Sequence, residues 1–177
     1  MVRIMKKIAV VFALHLAAIL LSVAVAGHSQ ICRVPAAQVV VVVVVEGVVY
    51  CQNCSFRGTW SLESAATVAA ARVGVTCLGW KNQVIIRRAA STDAAGYFYA
   101  ALDAAGDFYK GDPARACYVR LLASPNAACD DPTNINYGFT GAALKDEGKR
   151  AAAKLLDVMI YSAGPLAFQP ASCASMQ

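Results

Sequence analysis

The sequence predicts a small all-β domain, a disulfide-stapled β-barrel or sandwich of about seven strands with one short helix near 145–156. Three observations predict it. Seven consecutive valines occupy positions 39–45, and valine is stiff at χ1 and fits a pleated sheet better than a helix. Several later segments alternate apolar and polar residues and are separated by Gly, Pro and Asp turns, as short strands do. Seven cysteines, Cys32, Cys51, Cys54, Cys77, Cys117, Cys129 and Cys173, all follow an N-terminal leader, and in an exported chain they are expected to be oxidised.

The leader is read over 1–26. Arg3, Lys6 and Lys7 precede an apolar run from Ile8, and Ala24-Val25-Ala26 forms a small-x-small cleavage site. The run is also just long enough to span a bilayer, so a retained anchor is the competing reading. Cleavage leaves 151 of the 177 residues, enough for one domain with a real core. It also takes Lys+Arg from 16 to 13 against 11 acids. The mature charge of +2 lacks the dense basic stripe that nucleic-acid binding requires. The organisation expected is a signal peptide at 1–26, a flexible lead-in at 27–37 and one domain at 38–177. No membrane contact is expected once the signal has gone.

The valine run is expected to be a strand covered on both faces, ending in Cys51 and Cys54. Positions 55–70 are ambiguous, and Ser61-Leu62-Glu63-Ser64 before an alanine-rich run offers a helix start. At 72–77, Val73, Val75 and Cys77 share one face. At 83–88, Val84 and Ile86 do. Ser91 to Gly96 reads as a turn. The strand at 97–102 puts Phe98 and Leu102 on one side and Tyr97 and Tyr99 on the other. A loop at 103–113 leads to 116–122, where Cys117, Val119 and Leu121 oppose Tyr118 and Arg120. Cys77 and Cys117 thus both fall on buried faces and are compatible partners. The segment 124–141 reads as a long polar loop pinned by Cys129. The helix near 145–156 follows from composition, a last strand lies at 158–161, and 164–170 reads as irregular. Six cysteines permit 15 pairings, and Cys32 is the natural odd one.

Most catalytic chemistry lacks its residues. Of the two histidines, His15 leaves with the signal and His28 lies at the mature N-terminus. A Ser-His or Cys-His pair has no base in the fold, and a histidine zinc site has no ligands. No catalytic residue, metal or cofactor is therefore assigned. The enzymatic alternatives are a thiol oxidoreductase at Cys51-x-x-Cys54 and a glycosidase using Asp103 with Asp107 or Asp130 with Asp131. The binding alternative rests on outward residues. Tyr97, Tyr99 and Tyr118 offer stacking faces for sugars, and Arg87, Arg88 and Arg120 offer forks for uronate carboxylates. Against it stands an ordinary amphipathic strand exterior. Asn53-Cys54-Ser55 matches the glycosylation sequon, and with Cys54 expected in a disulfide the site is expected to be bare.

These cysteines and their neighbours resemble the plant pollen Ole e 1 allergen and extensin-like family over 39–173. The motifs are Val48-Val49-Tyr50-Cys51-x-x-Cys54, Ala71-x-Val73-x-Val75-x-Cys77 and Thr92-x-x-x-Gly96-x-Phe98, then Cys117-x-Val119-x-Leu121, Ser124-Pro125 and Cys129. They continue with Gly138-x-x-Gly141, Leu144, and Gly164-Pro165-Leu166-Ala167-Phe168-x-Pro170 before Cys173. The resemblance implies a barrel or sandwich with three bridges, Cys51–Cys129, Cys54–Cys173 and Cys77–Cys117. It implies a secreted, non-enzymatic protein of the extracellular space or cell wall. Its partner would be acidic or arabinogalactan-type polysaccharide or a wall glycoprotein, or its role structural. Unpaired Cys32 departs from the pattern and leaves an intermolecular bridge open. The proline- and histidine-rich arm that some relatives carry is absent, which puts a heavily O-glycosylated, extensin-like role in doubt.

Overall fold

The computed structural model describes residues 40–102, 112–153 and 156–173, which lie within one compact unit. The leader and Cys32 fall outside the described residues. At the centre is β1 (Val40–Cys51). It pairs antiparallel with β5 (Tyr97–Leu102) and parallel with β9 (Leu156–Ala163) along its valine half. Its last residues change neighbours, to β10 (Leu166–Gln169) and β2 (Ala66–Thr67). With both edges hydrogen-bonded, a run rich in β-branched residues gains ladder bonds on two sides, and no edge invites aggregation.

The valine strand is covered less evenly than the sequence predicts. Val45, Val48 and Val49 are buried, whereas Val41 is 42% exposed and Val42, Val43 and Val44 are half-buried. Gly47 has a steric reason. A Cβ there would stand 2.6 Å from the Phe98 ring, so glycine lets that fully buried ring lie against the β1 backbone.

The remaining strands are β3 (Arg72–Leu78), β4 (Val84–Ser91), β6 (Cys117–Ala123), β7 (Asp131–Pro132) and β8 (Ala142–Ala153). Together the ten described strands form one sheet that is not closed, in the order β4-β3-β6-β8-β9-β1-β10-β7, with β2 and β5 also on β1. β4 and β5 lie against each other without a ladder. The core holds Val73, Val75, Cys77, Phe98, Val119, Leu166 and Phe168, all at most 1% exposed. Fully burying such a side chain contributes about 1.5–3 kcal/mol. The alternation read at 97–102 and 117–121 is the observed one, with Phe98, Ala100, Leu102, Cys117, Val119 and Leu121 inward.

Several expectations are corrected. The segment 145–156 is not a helix: it is strand β8 up to Ala153, and Leu156 opens β9. Its alanines, lysines and leucine favour a helix locally, but pairing with β9 overrides that propensity. Register shifts between Asp146 and Lys149, and Gly148 sits there at φ +72°, a bulge conformation natural to glycine. The bulge takes up Glu147 and Gly148, so Asp146 and Arg150 meet on one strand face although four apart. The helix present is instead the short α1 (Pro113–Ala116), capped by Asp112. The segment 55–70 holds a 3-10 turn (Cys54–Phe56) and β2 rather than an α-helix. The segment 164–170 contains β10, which uses β1 as its template.

Candidate functional site

Disulfides fix the frame. Cys51 joins Cys129 with Cα atoms 6.0 Å apart, Cys54 joins Cys173 at 5.7 Å, and Cys77 joins Cys117 at 4.0 Å. These are the pairs that the resemblance implies. Cys77 and Cys117 face each other directly in the β3–β6 register. Cys51 and Cys54 are bound to different distant partners, so the Cys-x-x-Cys redox alternative has no dithiol to work with. For the carboxylate alternative, the pair that the structure describes is Asp130 with Asp131. Asp131 lies in β7 and accepts a bond from Gln169 Nε2 at 2.7 Å. Asp130 precedes it with its side chain exposed. Asp103 and Asp107 lie outside the described residues. Among the described residues no cluster of His, Cys, Asp or Glu is arranged to hold a metal.

The six outward residues are not one site. In the register, Arg87, Thr76 and Tyr118 form a row across β4, β3 and β6, and Ala89, Gly74 and Arg120 form the next row on the same face. Arg88 pairs with Val75 and so belongs to the opposite face of β4, because adjacent strand residues alternate. Tyr97 and Tyr99 stand on β5, opposite Val48 and Glu46 of β1. The sheet therefore groups Arg87, Tyr118 and Arg120 and puts Tyr97 and Tyr99 elsewhere.

Beside the Arg87–Tyr118 row is a cleft of about 810 Å³. The β3–β4 hairpin supplies Trp80, Asn82 and Gln83, α1 supplies Arg115, and Tyr118 lines its side. Trp80 is 86% exposed, and Lys81 Nζ lies 4.4 Å from its ring centre. The hairpin is held by Gly79 N–H donating to Gln83 O at 2.8 Å and Asn82 N–H to Gly79 O at 2.9 Å. Asn82 takes a positive φ of 58° there, which asparagine tolerates. Tyr118 is fixed from two directions. The Arg120 guanidinium stacks 4.8 Å from its ring centre while Arg120 Nε donates to Thr140 O at 2.8 Å. On another side, Gly141 approaches so closely that a Cβ would lie 3.0 Å from the ring. Of the cations, Arg115 lines the cleft, with Asp112 as the acid beside it at 3.7 Å; Lys81 and Arg120 lie on the rings of its Trp80 and Tyr118, and Arg87 stands two strands from Tyr118 in the same register row. Sequence reasoning names Tyr118, Arg87 and Arg120 as candidates and does not name Trp80 or Arg115. The available cue was a large aromatic in a Gly-Trp-Lys-Asn turn, with no strand face of its own to pack on.

A different chemistry occupies the β1–β8–β9 exterior. Lys149 Nζ contacts Glu46 Oε1 at 2.6 Å and Glu147 Oε2 at 3.0 Å, and Ser162 Oγ donates to Glu147 Oε1 at 2.7 Å. The Ser162 hydroxyl and then the Lys149 ammonium hold the Glu147 carboxyl below its usual range. A smaller cleft of about 320 Å³ lies here, between Glu46, Tyr97, Ser162 and Pro165. The charged residue of its lining is Glu46, which pairs with Lys149. Trp60 and Tyr137 form a further exposed aromatic pair, edge to face at 6.2 Å.

The chain is similar in sequence to several plant proteins. It is 29% identical over 132 residues to non-classical arabinogalactan protein 30 of Arabidopsis thaliana, covering 72% of this chain and 53% of the relative. It is 35% identical over 102 residues to the pistil-specific extensin-like protein of Nicotiana tabacum, covering 58% of this chain and 22% of that protein. Proline-rich protein 3 of Arabidopsis thaliana matches at 27% over 126 residues, 68% of this chain and 36% of the relative. The chain therefore spans about half or less of the length of these relatives. In structure it resembles the major plantain pollen allergen Pla l 1, with a TM-score of 0.54, 20% identity, and coverage of 77% of this chain and 99% of that one. No family model matches.

Proposed function

Because the chain resembles the pollen Ole e 1 allergen and extensin-like family in cysteine frame, fold and sequence, we propose that it is a secreted, non-enzymatic wall protein that binds acidic polysaccharide. In this reading 1–26 directs export and is removed, 27–37 is a lead-in, and 38–177 is the binding domain. The names of the relatives support an extracellular, non-enzymatic role. Among the described residues no helix is long and apolar enough to cross a membrane. The observation that carries the ligand class is the Trp80–Tyr118 cleft with its cationic border. A sugar ring stacks its C–H face on an indole or phenol. A uronate carboxylate pairs with Arg87 or Arg115 in bidentate geometry. Asn82 and Gln83 side chains bond hydroxyls.

Affinity electrophoresis of the full-length protein in gels containing polygalacturonate, arabinogalactan or neutral glucan tests this. Retardation is expected in polygalacturonate and should weaken with salt, since exposed ion pairs are screened. Stacking is worth about 0.5–1.5 kcal/mol, so Trp80→Ala should weaken binding about two- to twelvefold. Arg87→Gln and Arg115→Gln should remove the preference for the acidic polymer. Binding that survives these changes but is lost with Tyr97→Ser and Tyr99→Ser would move the site to β5. No retardation in any gel would sink the ligand reading.

A further inference from the structure

We propose that Asn53 carries an N-linked glycan, attached before the Cys54–Cys173 bridge closes. The inference rests on the secretory reading above. A bridged Cys54 would block the sequon Asn53-Cys54-Ser55, but its partner Cys173 lies 119 residues further on. At about 5–20 residues per second of synthesis, roughly 6–24 s separate the two. Cys51, the neighbouring thiol, waits for Cys129, 78 residues away. When Asn53 enters the lumen on an extended chain, neither sulfur has its native partner. The middle position of the sequon then carries a sulfur without its native partner, in a side chain about the size of serine.

The folded protein leaves room for the modification. Asn53 precedes the 3-10 turn as its cap, and its Oδ1 accepts the Ser55 backbone N–H at 2.9 Å. Among the described residues the one buried, unpartnered side-chain polar atom is Gln52 Oε1. Asn53 is half-buried, and its Nδ2 makes no hydrogen bond among the described residues. Ser55, Arg57 and Gly58 beside it are exposed. In the transfer Nδ2 bonds to the sugar C1 of a lipid pyrophosphate-linked oligosaccharide, the C1–O bond breaks, the lipid pyrophosphate leaves and Nδ2 gives up one proton; Oδ1 stays an acceptor, so the cap survives glycosylation. A glycan here stands next to the Cys54–Cys173 bridge and screens it from reductants and proteases.

The test expresses the full chain in yeast, once behind its own leader and once behind a host secretory leader. Whole-culture protein is read by intact and peptide mass spectrometry before and after endoglycosidase H. The expected result is a ladder of hexose increments that collapses to a single N-acetylglucosamine on Asn53 and is absent from Asn53→Gln and Ser55→Ala. Cys173→Ser should leave the occupied fraction unchanged, because the bridge forms after transfer. A host-led protein with wholly unmodified Asn53 overturns the proposal. So does a rise in occupancy in Cys173→Ser, which would mean that bridging competes with transfer. Failure of the chain's own leader alone, with the host-led protein glycosylated, counts against secretion and supports the glycan.

Discussion

Replacing Cys77 and Cys117 together by alanine should destabilise the domain more than replacing Cys54 and Cys173, although the second bridge closes the longer loop. The loops span 40 and 119 residues. Loop-closure entropy alone gives about 4 kcal/mol for the first and about 5 kcal/mol for the second. Burial reverses the order. Cys77 is fully buried and Cys117 is 4% exposed, so each lost sulfur leaves core space worth on the order of 1 kcal/mol. The first bridge then totals about 6 kcal/mol, comparable with the whole stability of many domains. Cys173, by contrast, lies beyond the end of β10 at Gln169. Without its bridge, 170–173 can detach while the β1–β10 ladder stays shut. The native state gains freedom as well, and the net loss should fall to about 2–4 kcal/mol. Urea unfolding at mildly acidic pH, where thiol exchange is slow, measures both. With a slope of about 2 kcal/mol per M, the midpoint should drop by about 3 M for the first variant and 1–2 M for the second. A larger drop for Cys54→Ala/Cys173→Ala would show that unfolded-chain entropy outweighs the core here and refute the reasoning.

Two further outcomes follow from local geometry. Thr92 is buried, donates from Oγ1 to Val68 O at 2.6 Å and accepts from Ala71 N–H at 2.9 Å. Thr92→Val keeps the shape but strands both backbone groups, and should cost about 1–3 kcal/mol by urea unfolding, while exposed Thr67→Val should stay near zero. Asp146 accepts two bonds from Arg150, at 3.0 and 2.8 Å, and Arg150 with the Gly148 N–H lowers its carboxyl from 3.8 to about 2. A lowered carboxyl stabilises the fold above its unfolded value and stops doing so as pH falls through its folded value. The thermal midpoints of wild type and Asp146→Asn should therefore differ at pH 6 and converge as pH falls from about 4 through about 2; a gap at pH 2 as large as that at pH 6 would assign the effect to packing.

What the sequence made legible was local. Strands β3, β5 and β6 alternate because one face of each meets the core, and that period is written in Val73, Phe98 and Val119. The valine run could only be a strand, yet its neighbours were invisible, since β9 and β10 join it from more than a hundred residues away. β8 was misread because alanine and lysine state a helical preference that only the bulge at Gly148 and pairing with β9 overrule. The site split in the same way. Outward tyrosines and arginines could be recognised singly, but the row joining Arg87 to Tyr118 runs through Thr76 on a third strand. Trp80 stayed hidden because a hairpin tip has no periodicity to read.

The Cys54–Cys173 bridge also decides how the domain bears tension. A pull between the start of β1 and the chain after Cys173 travels along β1 to Cys54 and crosses the sulfurs. Everything from the 3-10 turn to β10 hangs off that route as a closed loop and carries no load. The loaded part is a strand already near its full length, about 3.3 Å per residue, clamped along both edges. Stretched in this direction the domain has almost no slack to release until a covalent bond is reduced.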